Sequence, residues 1–206
     1  MLIKPGRCSV AEAIFHFAGF LLHFFRKRYQ MNTTKKLTLS AVLLALGLIL
    51  PFFTGQIQEI GNKLLPMHIP VLICGFVCGW KYGMLVGFIT PLLRCVLFSM
   101  PAPMNAICMA FELATYGIVA GILYGKLVKS KLRIYISLLV SMITGRLVWG
   151  AVSIIIYGIS HSAFTWQMFL GGALLNAIPG IILQIVLIPI IILALEKAGV
   201  MSIENK

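Results

Sequence analysis

The chain of 206 residues contains no aspartate, and its only acidic side chains are Glu12, Glu59, Glu112, Glu196 and Glu204. A Ser-His-Asp nucleophile set is therefore excluded, and a paired-carboxylate centre or an Asp-ligated metal site nearly so. Charge is scarce in general: 11% of residues are charged, against about 25% in a soluble domain. There is no GxxxxGK[ST] loop to cradle a nucleotide and no HExxH pair to hold zinc. The cysteines Cys8, Cys74, Cys78, Cys95 and Cys108 form no CxxC pair, so neither a disulfide framework nor a metal site is implied, and each reads as a small packing residue. These absences argue against an enzyme and call for no cofactor.

What the chain has is apolar length. Hydrophobic residues make up 60% of it, and the mean hydropathy is +1.02. Several runs reach the roughly 20 residues that cross a bilayer as a helix, and they lack the alternation of a membrane β-barrel. The expected fold is an all-α membrane protein, a compact bundle of six transmembrane helices at about 37–54, 64–80, 82–100, 104–124, 134–158 and 167–195. The net charge of +12 sits in short loops between apolar runs, which argues against nucleic acid. Lys35, Lys36, Lys81, Lys126, Lys129, Lys131, Arg133, Lys197 and Lys206 fall on one set of ends, and only Lys63 on the other. Basic residues stay in the cytoplasm, so both ends of the bundle are expected there. The loops 55–63, 100–103 and 159–167 then face outside.

Residues 1–30 stand apart as an N-terminal extension, ahead of a membrane domain over 31–200 and a cytoplasmic tail over 201–206. The apolar stretch 9–25 is short and holds Glu12, His16 and His23. Three readings stay open: sequence upstream of a true start at Met31, an interfacial helix, or a seventh span. Glycines at 75, 79, 83 and 87 recur every four residues, a spacing that lets helix backbones approach closely.

Polar residues inside the spans are few. An Arg at a helix centre costs about 2.5–3.5 kcal/mol on insertion scales, and the chain places Arg94, Glu112 and Arg146 there, with His68, Asn105, Asn176 and Gln184 adding uncharged polarity. Arg94, Glu112 and Asn176 are expected ~9–14 Å below the outer surface and Arg146 about 18 Å. A pocket open to the outside is the expected site, with Arg94, Glu112, Arg146, Asn176, His68 and Asn105 as substrate-binding candidates. Glu112 balances one arginine and leaves one positive charge over, which favours an anionic guest; a carboxylate suits the planar fork of an arginine. A buried ion pair that only locks the bundle is the competing reading. Phe164 and Trp166 read as interfacial anchors.

Three passages resemble the substrate-binding S component of an energy-coupling-factor (ECF) vitamin transporter. They are LTLSAVLLALGLILP (37–51), with Ala41 and Ala45 in the place of an AxxxA motif; LPMHIPVLICGFVCGWKYGMLVGFITPLLR (65–94), with its Gly-rich turn; and MAFELATYGIVAGILYGKL (109–127). The resemblance implies a membrane subunit that binds a vitamin-like small molecule from outside. It further implies docking through Ala41 and Ala45 onto a transmembrane T subunit driven by two cytoplasmic ATPases, and a lid in the loop 55–63. Surplus positive charge points to pantothenate first, then to pyridoxine-like or thiamine-precursor compounds. The alternative is a stand-alone carrier that couples a small acidic solute to protons through Glu112.

Overall fold

The computed structural model describes residues 32–54, 64–127, 132–159 and 177–197. Every regular element among them is helical. Helix α1 spans Thr33–Ile49 and runs into a 3₁₀ turn over Leu50–Thr54. Then come α2 (His68–Cys78), α3 (Trp80–Phe98), α4 (Pro103–Lys126), α5 (Leu132–Ile159) and α6 (Ile178–Lys197). Five of the helices, α1 with its 3₁₀ turn and α3 to α6, are long and apolar enough to cross a membrane.

The second segment differs from its expected length. Helix α2 has 11 residues and rises about 16 Å, little more than half of a bilayer's roughly 30 Å core. Pro66 explains the shortfall, because a residue before proline is pushed out of the α region. Leu65 takes φ 49°, a left-handed conformation that breaks a right-handed helix, and the helix proper begins only at His68.

The turn between α2 and α3 is a single residue. Gly79 adopts φ 92° and ψ 172°, a conformation that side chains rarely tolerate. The chain folds straight back there: a methyl built on Gly83 would lie 2.7 Å from the Cα of Gly75. Helix α4 closes on this hairpin. A methyl on Gly117 would sit 2.2 Å from the carbonyl carbon of Gly83, and one on Gly87 would sit 2.4 Å from the carbonyl oxygen of Leu113. The glycine run thus serves close packing of three helices.

These contacts fix direction and register. Helices α3 and α4 are antiparallel, with Trp80 level with Gly121, Gly83 with Gly117 and Gly87 with Leu113. At the far end Ser99 closes α3 in a left-handed conformation, its N–H bonded to the carbonyl of Cys95 at 2.9 Å. Pro103 then opens α4 in its first turn, where a missing N–H costs nothing. Arg133, at the start of α5, meets Tyr124 and Glu196, at the ends of α4 and α6. With Trp80 against Gly121 and Gly47 against Thr90, Lys35, Lys36, Lys81, Lys126, Arg133 and Lys197 fall toward that same end of the bundle.

The core is apolar and centred on α4, with Leu72, Leu113, Tyr116, Leu138 and Ile188 fully enclosed. The outside is apolar too: Leu37, Leu85, Val96, Ile143, Leu147, Ile182 and Ile190 are each more than half exposed. A surface this greasy is suited to lipid rather than water.

Candidate functional site

Glu112 lies nine residues into α4, about 13 Å from its first residue and nearer the end opposite the Arg133–Glu196 cluster. It is buried at 1% exposure, and side chains from three helices surround its Oε1. Arg146 of α5 places Nη1 at 3.0 Å. Tyr116, one turn further along α4, donates its hydroxyl at 2.9 Å. His68, the first residue of α2, brings Nε2 to 3.5 Å, longer than a good hydrogen bond. The His68 and Tyr116 rings meet at 5.2 Å between centroids. The shortness of α2 matters here, since its N-terminus, the positive end of the helix dipole, opens inside the bundle level with the carboxylate.

Several polar atoms of this layer are buried without a hydrogen-bond partner: both ring nitrogens of His68, and Nε and Nη2 of Arg146. The last two form one edge of the guanidinium, the pair of parallel N–H groups that grips a carboxylate. Nη1 is engaged with Glu112, and the two-donor edge is unspent.

Arg94 is placed differently from expectation. It does not reach Glu112. By the α3–α4 register it lies level with Ala106, about 9 Å along α4 from Glu112 toward the end opposite the Arg133–Glu196 cluster. Its Nη1 donates to the carbonyl of Leu48 at 2.7 Å. Pro51 has no N–H, so the 3₁₀ bond that would close on that carbonyl cannot form. The C-terminus of α1 adds partial negative charge. The guanidinium also lies 5.2 Å from the ring centroid of Phe52 and 5.5 Å from that of Phe98, and these two rings pack edge to face at 4.9 Å. Among the described residues this buried cation is stabilised by a carbonyl, a helix end and two aromatic faces.

Of the remaining candidates, Asn105 is half-buried on α4, seven residues before Glu112 and so near the same helix face. Asn176 lies outside the described residues, as do the loop 55–63, Lys63, Phe164, Trp166, the first 31 residues and the tail. Two groups escaped the sequence reading. Tyr116 is four residues from Glu112, a spacing that could have flagged it. Gln184 of α6 stood out as polar, but not as part of the site; it is fully buried, and neither amide atom has a partner. Ala41 and Ala45 are exposed on α1, between Leu37 and Ile49 on one stripe.

A family described as "ECF transporter, substrate-specific component" matches residues 35–192, which takes in all six helices but for a few terminal residues. The chain belongs to that family. It is a multi-pass membrane protein and the substrate-specific component of an ECF transporter, a family of transporter subunits rather than enzymes. No curated protein and no solved structure matches the chain.

Proposed function

We propose that this S component captures a small vitamin-like acid from outside the cell and delivers it inward with a T subunit and two ATPases. The observation that carries the acid is the unspent Nε–Nη2 edge of Arg146, buried beside Glu112. Glu112 orients the guanidinium by holding Nη1, and the Tyr116 hydroxyl holds Glu112. A carboxylate guest would take the free edge through two charge-assisted hydrogen bonds. Arg94, occupied by Leu48 and two rings, serves the bundle end and leaves the guest to Arg146. Pantothenate is the first candidate, and pyridoxine-like or thiamine-precursor compounds follow.

The basic end of the bundle is cytoplasmic in this reading, which opens the polar layer toward the outside. Ala41 and Ala45 offer α1 a flat, small-residue face for a helix of the T subunit. The test is ligand binding by the purified chain in detergent. Pantothenate and its carboxamide are the paired probes, and calorimetry is the readout. The acid should bind at least about 100-fold tighter than the carboxamide, because two bonds to a charged group are at stake. Arg146→Met should remove that preference. Equal binding of acid and carboxamide by the unmodified chain would refute the acid reading.

A further inference from the structure

Gln184 is the buried group that the acid reading leaves unused. Helix α6 shows one inward stripe, Gly180, Gln184, Ile188 and Ile192, and it packs against α2 and α5. Gln184 is 0% exposed, and both Oε1 and Nε2 are buried without a partner. A primary amide in that state forfeits the hydrogen bonds it had in water. Chains rarely keep such a group in a core that any apolar residue could fill.

Its height in the bundle is fixed by contacts at the basic end. Glu196 meets Tyr124 of α4 and Arg133 of α5. Helix α6 therefore runs parallel to α4 and antiparallel to α5. Twelve residues back from Glu196 lies Gln184; twelve back from Tyr124 lies Glu112; thirteen on from Arg133 lies Arg146. All three helices rise about 1.5 Å per residue, so the three side chains share one level. His68 joins them through its contact with Glu112. The unpartnered amide, the unpartnered imidazole and the free guanidinium edge thus belong to one layer on three helices around the buried carboxylate.

We infer that Gln184 is a specificity-determining residue of this site, and that the substrate carries a carboxylate at one end and an amide N–H further along. The inference rests on the acid reading for the carboxylate. A substrate amide supplies the N–H donor that the Oε1 of Gln184 lacks, whereas an ester in its place can only accept. Substrates of this class are N-acylated amino acids and close relatives, of which pantothenate is one.

The test uses the full chain in detergent and two probes of one length, an N-acyl-β-alanine and the ester that replaces its N–H by oxygen. Calorimetry should show the amide bound about tenfold or more tighter than the ester. Gln184→Leu should abolish that difference while the preference for acid over carboxamide, read with the same acyl chain, persists. Thermal melting without ligand should leave Gln184→Leu at least as stable as the unmodified chain, since it removes an unpaired polar group. A structural role for Gln184 predicts a lowered melting point instead. Gln184→Met serves the same comparison should the Leu variant fail to fold. An amide preference that survives both substitutions overturns the inference, as does failure of the unmodified chain to bind either probe. Loss of acid selectivity with the amide preference intact would instead strike the acid reading alone.

Discussion

At the residue scale the site turns on how two arginines are balanced. Arg146 and Glu112 form a buried pair, and removing one partner of such a pair costs about 3–5 kcal/mol. Glu112→Gln alone and Arg146→Met alone should both lower the melting temperature sharply. The double substitution should recover much of the loss, since no charge is then stranded, yet it should not recover binding of a carboxylate. Restored binding would mean that Arg146 serves only to lock the bundle. Arg146→Lys should weaken acid binding about tenfold or more, because an ammonium cannot present the planar fork. Arg94 teaches a different lesson. The sequence reading offered it to a ligand's acid group, and the acceptor it meets among the described residues cannot be seen in a list of side chains. That acceptor is a backbone carbonyl that Pro51 leaves short of a donor. Arg94→Met should therefore destabilise the end of α1 and α3 more than it alters acid selectivity, read as a melting shift beside an unchanged acid-to-carboxamide ratio.

At the element scale the hairpin of α2 and α3 against α4 carries the fold. A methyl on Gly117 meets backbone atoms of α3 rather than a flexible side chain. Gly117→Ala should cost about 1–3 kcal/mol by forcing the helices apart. Gly125→Ala, with nothing within 4 Å of the added methyl, should be neutral or stabilise by up to about 1 kcal/mol. Equal effects in the two variants, by melting in detergent, would contradict the close packing. Five of the helices were legible from apolar length alone, because length and hydropathy are what a bilayer selects. The short α2 was not, although Pro66 and Pro70 stood in plain view. A proline can begin a helix or interrupt one, and only the path of the chain at Leu65 decides which. The placing of Gln184 was equally hidden, since its level follows from a contact among Tyr124, Arg133 and Glu196 that joins residues far apart in sequence.

At the scale of the whole molecule the bundle is asymmetric from end to end. Basic side chains gather where α4 and α6 finish and α5 begins, and the polar layer lies in the other half. The account predicts that a cysteine placed at Lys81 resists an impermeant thiol reagent added outside intact cells, and that one at Pro103 reacts. The reverse pattern would invert the topology. Ala41 and Ala45 belong to this scale as well, because their side chains are presented outward and the bundle does not use them. Ala41→Trp or Ala45→Trp should weaken assembly with partner subunits and leave ligand binding by the isolated chain intact. Loss of binding in either variant would make that face internal to the fold instead.

The central claim is that this chain is the capture subunit of a larger importer and holds a small acid. The most direct measurement is mild-detergent purification of the tagged chain from its native membranes, with mass spectrometry of proteins and small molecules together. The account predicts a T subunit, two ATPases and a retained carboxylate-bearing molecule whose yield falls in Arg146→Met. A chain that purifies alone and transports an acid in liposomes under a proton gradient would contradict it.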